Sequence, residues 1–354
     1  GQIAPIVISN IYGQNNIVRG IRGGTKGYFA GGNTGGGVLT TTDKITFSTD
    51  TTIAQASASV TTSRSAAGAC SGDSTKGYIA GGTGPLSSTD KITYSSDATI
   101  AQTSANLSQA RNQLAGITEG SSKGYFAGGN SAAIADTADK IIYSTDTTAA
   151  QTTANLSQAR TGLAGCSGDG IKGYFAGGST SGALSTVNTA DKITYSTDTT
   201  AAQTTANLSQ ARYLLSGCDG EGTKGYFAGG GTSTSTLTTT DKIIFSSDTT
   251  AAQTTANLSQ ARNQLAGISE GSSKGYFAGG NNGVDLATTD KITYSNDTTA
   301  AQTTANLSQA RRGPAGISQL NSYAFNNNSV VSGSIASGQV TANHFASGVV
   351  LSLI

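Results

Sequence analysis

Asp139-Lys140-Ile141-Ile142-Tyr143-Ser144-Thr145-Asp146-Thr147-Thr148, continuing through Ala149-Ala150-Gln151-Thr152-Thr153-Ala154-Asn155-Leu156-Ser157-Gln158-Ala159-Arg160, recurs with small changes six times in 354 residues. Each copy follows a Lys-Gly-aromatic-apolar-Ala-Gly-Gly phrase. These phrases begin at Lys26, Lys76, Lys123, Lys172, Lys224 and Lys274, so their spacings are 50, 47, 49, 52 and 50. A period near 50 residues marks a propeller or solenoid unit.

Within a unit the apolar residues alternate with a period of two and are bounded by Gly, Ser and Asp clusters, the mark of short strands. Four strands are predicted. The first spans 114–118, and Glu119-Gly120-Ser121-Ser122 turns it into a second over 123–129. A loop of variable length leads to a third, in which Ile141 and Tyr143 alternate with Lys140 and Ile142. Thr145-Asp146-Thr147 turns the chain into a fourth over 149–156, with Ala150, Thr152, Ala154 and Leu156 on one face. A helical array is disfavoured, because the Gly-Gly pair in every unit would break it.

Four antiparallel strands repeated six times describe an all-β, six-bladed β-propeller. Gly128-Gly129, Tyr143 and Arg160, with counterparts in each unit, resemble the kelch repeat over residues 20–318. The departure is the missing Trp of the fourth strand, since the chain has none. The resemblance implies a kelch-like propeller over 17–326, flanked by an N-terminal strand or docking arm over 1–16 and a tail over 327–354. Arg311 to Ser318 begin another first strand. Either they close a six-bladed ring, the favoured reading, or they join 3–8 and 322–325 in a composite seventh blade. Closure removes sheet edges that would otherwise aggregate.

Composition excludes several functions. Only 12% of residues are charged and the net charge is +1, which disfavours a nucleic-acid partner. No apolar run approaches the roughly 20 residues of a membrane span. Cys70, Cys166 and Cys218 share one repeat position with Ile117, Ile268 and Ile317, so they read as small buried hydrophobes. The single histidine, His344, cannot supply a His-based triad within the repeats or a multi-His metal site. An enzyme, a metal centre and a cofactor are therefore not expected. The likeness to galactose oxidase, an enzyme with kelch-like blades, carries over no catalytic residue.

Two rings of charge recur. Arg64, Arg111, Arg160, Arg212, Arg262 and Arg311, with Asp43, Asp90, Asp139, Asp191, Asp241 and Asp290, are expected to form one structural tie per blade. An anion or glycan site around the axis is the competing reading. Asp50, Asp97, Asp146, Asp198, Asp248 and Asp297 are expected to form turns. Asn-Leu-Ser, as at Asn155, matches a glycosylation acceptor but lies inside a predicted strand.

Function is sought in what does not repeat. The segments between Gly-Gly and Asp-Lys differ freely, as do the positions after each Arg, and in a propeller both emerge on one face. Divergent loops on a constant scaffold suit a binding surface. Tyr213 is the first candidate anchor, with Asn112, Asn263, Asn281 and Asn282 beside it.

The tail is built of pentads in which Ile335, Val340, Phe345 and Val350 recur every fifth position. So short a stack has too little to bury alone, so it is expected to dock on another chain or on a copy of itself. Such Ser-Gly pentads resemble segments of bacteriophage tail-fibre and virion proteins, notably of cyanophages. The resemblance implies a structural or attachment component of a virion. Its arm and tail would contact other virion proteins, and its propeller face a protein or a host-surface glycan. A bacterial extracellular adhesin or lectin is the alternative.

Overall fold

The computed structural model describes residues 23–181 and 185–319. They form six four-stranded antiparallel sheets arranged in a ring, a six-bladed β-propeller. In the third blade the strands are Ala115–Thr118, Lys123–Ala127, Ala138–Ile142 and Thr147–Ala150, running from the axis outward. The first blade is composite. Its innermost strand, Ala315–Ser318, comes from the end of the repeats and pairs with Lys26–Ala30, with Tyr28 opposite Ile317. Residues 315–318 therefore close a ring of six. The segments at 1–16, 322–325 and 327–354, including His344 and the pentad residues Ile335, Val340, Phe345 and Val350, lie outside the described residues.

One strand assignment needs correction. The fourth strand was expected to run over 149–156, but it stops at Ala150, and Thr152–Ala154 form a single 3₁₀ turn. Thr152 and Thr153 face solvent, while Ala154 and Leu156 turn inward to the core. The reason is geometric: an outermost strand must hand the chain back to the axis of the next blade. Asn155 stabilises that return, its Oδ1 accepting the Ala138 N–H at 3.0 Å. The same bond recurs at Asn106, Asn207, Asn257 and Asn306. The Asn of each Asn-Leu-Ser is thus engaged as a strand cap.

Hydrophobic burial lies between blades. Ile117 and Tyr125 of the third blade cluster with Phe175, Ile193 and Tyr195 of the fourth. Six stacked aromatic pairs bridge neighbouring blades with ring centroids 5.6 to 6.0 Å apart, from Tyr28–Tyr94 round to Tyr276–Phe47. Such pairs each add roughly 0.5–1.5 kcal/mol beyond their area. Cys70, Cys166 and Cys218 are buried free thiols in these clusters. Burial pushes the Cys218 thiol up to about 12, so it stays protonated.

Nearest the axis the blades almost touch. A Cβ on Gly116 would lie 2.1 Å from the Ala69 carbonyl oxygen of the preceding blade. Gly165, Gly217, Gly267 and Gly316 are equally confined, with the neighbouring carbonyl oxygen within 1.9 to 2.6 Å of the added carbon. Replacing Gly116 by Val should lower the unfolding midpoint steeply, the expected loss exceeding about 2 kcal/mol by overpacking and backbone displacement. A Gly116→Val chain that melts with the parent in calorimetry would show that the axis is looser than this.

Candidate functional site

Second strands run from their Lys to their Gly-Gly, which defines a lower face where they begin and an upper face where they end. The lower face holds the turns between third and outermost strands. At their tips Asp50, Asp97, Asp146, Asp198, Asp248 and Asp297 adopt left-handed backbone, with φ between 53° and 55°. They are turn formers as expected, and they also do something the repeat pattern did not disclose. Asp97 accepts Lys26 Nζ at 2.6 Å, Lys44 Nζ at 2.7 Å and the Tyr28 hydroxyl at 2.5 Å, all from the preceding blade. The same Lys-Lys-Tyr grip holds each of the other five, ending with Lys274, Lys291 and Tyr276 on Asp50. The alternation of Lys44 with Ile45 was the available signal, because it places Lys and Ile on opposite sheet faces.

The two charged rings predicted from sequence are one set of ties. Each Arg, arriving from one blade, pairs with the Asp on the third strand of the next, at 2.5 to 3.1 Å. Arg160 and Asp191 are 0% and 1% exposed, so the pair is unavailable to a ligand. Arg160 also donates to the carbonyls of Gly177 and Thr189. Burial pulls the arginine pKa down and the adjacent Asp191 holds it up. Removing one member of a buried pair strands the other, a loss of about 3–5 kcal/mol.

The upper face is different. The residue two places after each Arg (Ala66, Gln113, Gly162, Leu214, Gln264 and Gly313) donates its N–H to the equivalent carbonyl of the preceding blade, at 2.6 to 2.8 Å. The six bonds close a circle around the axis. All six residues have positive φ, between 53° and 63°. Only two are glycine, and the left-handed region costs other residues roughly 1–2 kcal/mol. Side chains are therefore retained at Gln113, Leu214 and Gln264 against backbone strain. Beneath the circle an axial channel of about 140 Å³ descends between the innermost strands, from Gln113 to Gly116 in the third blade, with no charged side chain in its lining.

The sequence candidates lie above the circle, outside that channel. Asn112, Tyr213 and Asn263 continue the innermost strands upward and bridge to Asn130, Gly231 and Asn281. All three are half-buried rather than projecting. Asn281 Nδ2 donates to Asp285 at 2.9 Å and its Oδ1 accepts the Gly283 N–H, so part of its capacity is spent on the loop. Asn282 is exposed further out. Asn112 and Asn263 sit next to the circle residues Gln113 and Gln264, and Asn282 is apart from them. Gln113 and Gln264 fall within the variable positions after each Arg but were not among the named candidates.

At the lower end of the axis Ser71, Thr118, Ser167, Ser269 and Ser318 form a hydroxyl ring, with Asp219 in the sixth place. It serves the backbone: Ser167 Oγ accepts the Thr118 N–H at 3.0 Å, and Asp219 Oδ1 that of Ser167 at 2.5 Å. Among the described residues no three His, Cys, Asp or Glu side chains converge as a metal site would require. No protein-family model matches the chain, and no curated protein matches it.

Two outcomes follow from this geometry. Burial raises the pKa of Asp97, but hydrogen bonds from Lys26, Lys44 and Tyr28 outweigh it and hold the carboxyl at about 2, against an ordinary 3.8. The other five tip aspartates behave alike. Because the folded value is the lower one, these ties contribute fully above the ordinary value and are lost as pH falls through about 2. The melting temperature should drop between pH 4 and pH 2, by less in Asp97→Asn; a flat profile down to pH 2 contradicts the assignment. Separately, Leu214→Gly should leave stability unchanged or raise it by up to about 1 kcal/mol in denaturant titration, since strain relief offsets the entropy of glycine.

Proposed function

We propose that this protein is a non-catalytic attachment component of a virion, held by its terminal segments and presenting the upper face to a surface glycan. The observation that carries the reading is the separation of two faces. The chain enters and leaves the propeller side by side on the lower face. There Gly24 donates to the Glu270 carbonyl at 2.7 Å and Gln319 to the Lys26 carbonyl at 2.9 Å. The divergent loops lie at the opposite end of the axis. A rigid body carried from one face and varied on the other suits recognition at the far end.

Other features support the same reading. The repeated Asp and Arg side chains are engaged in inter-blade ties, leaving few titratable groups for acid–base work. The pentad tail and the resemblance to kelch-like propellers and to phage virion proteins favour a particle over a free adhesin. Cross-linking mass spectrometry on the native particle is the test. Links from 320–354 to structural proteins are expected, with the upper-face loops unlinked. Links from those loops into neighbouring virion proteins would replace attachment by scaffolding, and absence of the protein from any particle would remove the virion reading.

A further inference from the structure

The propeller is sixfold in backbone, but its upper mouth is not sixfold in side chains. Around the closed hydrogen-bond circle the order is Gly313, Ala66, Gln113, Gly162, Leu214 and Gln264. Residues three steps apart face each other across the axis. Gln113 therefore opposes Gln264, and Gly162 opposes Gly313. The match extends along the chain: Asn112-Gln113-Leu114 and Asn263-Gln264-Leu265 are the same triplet, and Asn130 and Asn281 occupy the bridged position above each. No other blade carries this set.

We infer that these opposed Asn-Gln pairs form a clamp for a neutral, linear glycan lying across the axial mouth; this rests on the glycan-attachment reading above and gives it a location and a ligand class. Each amide offers both a donor and an acceptor, the combination that a sugar hydroxyl also presents. Part of that capacity is unspent. Asn112 Oδ1 has no protein donor among the described residues, and it is shielded from solvent until its side chain turns toward a ligand. Gln113 Oε1 accepts from Thr161 Oγ1 at 3.0 Å, which orients its amide and leaves the NH₂ group to donate. The clamp residues are uncharged, and Arg312, beside Gly313, is paired with Asp285 at 3.0 Å, so an acidic sugar finds no unpaired counter-ion there. Gly162 and Gly313 leave the circle low at two opposite points, where a chain longer than one sugar can run out on either side. Half-buried Tyr213, beside Leu214, supplies a ring edge for the sugar's apolar face.

The test uses the full chain and neutral linear hexasaccharides (β-1,4-glucan, α-1,4-glucan and β-1,4-mannan), with a hexamer of galacturonate as the charged control, in calorimetric titration. The variant is Gln113→Gly with Gln264→Gly, which removes both side chains where the left-handed backbone favours glycine and so keeps the fold. Asn112→Ala with Asn263→Ala is the second variant, and Asn282→Ala the outlying control. Binding of a neutral hexamer that falls at least tenfold in both double variants and is unchanged in Asn282→Ala is expected. Neutral binding that survives in both double variants overturns the clamp while leaving the glycan-attachment reading in place. Binding of the galacturonate hexamer alone overturns the ligand class, and binding of none overturns both.

Discussion

Six sheets can meet on one axis only if the strands nearest it have almost no side chains. That steric limit organises this molecule. Glycine at Gly116, Gly165, Gly217, Gly267 and Gly316 lets five of the six innermost strands lie against the carbonyls of a neighbour, and the sixth carries only Ala69 there. With the centre lined by backbone and small residues, little apolar surface is buried there, and the hydrophobic core is displaced outward into the wedges between blades. Those wedges widen with radius, and larger groups fill them in order: Ile117 nearer the axis, the stacked tyrosines beyond.

Charge follows the same radial logic. The Arg–Asp pairs lie where the chain crosses between blades on the upper side, and they are fully buried. The Lys-Asp-Lys-Tyr grips lie at the lower turns, partly exposed. Each joins one blade to the next, and the last of each kind, Arg311–Asp43 and Lys274–Asp50, forms only when the ring closes. Neither depends on what the upper loops contain, which explains how those loops can differ in length and composition without altering the strands beneath them.

Much of this was legible in the repeats. Period-two alternation around Ile141 and Tyr143 gave the third strand, Gly128-Gly129 the end of the second, and the six copies the ring. The pairing of Arg160 with a carboxylate was readable because both recur once per unit. Other features were hidden for physical reasons. Ala150 to Leu156 alternate as a strand would, but Ala150 and Thr152 are exposed and only Ala154 and Leu156 are buried, because the 3₁₀ turn changes which way the chain faces, and alternation alone does not show that turn. The partner of Asp97 is 71 residues away at Lys26, a distance no local pattern carries. Tyr213 and Asn112 lie on the face of the variable loops, as their variability suggested, whereas the opposition of Gln113 and Gln264 shows only once the order of blades around the axis is known.

The point of chain entry has a mechanical consequence. The strand that closes the ring, Ala315–Ser318, is antiparallel to Lys26–Ala30, and the free ends of both emerge together below. Drawing those ends apart would load the backbone hydrogen bonds one after another, from Ser318 upward, so the closure would peel at low force. Pulling both ends in the same direction loads the blade as a whole. A propeller of this construction withstands tension when its two ends are fastened to a common support, and opens like a clasp when they are not.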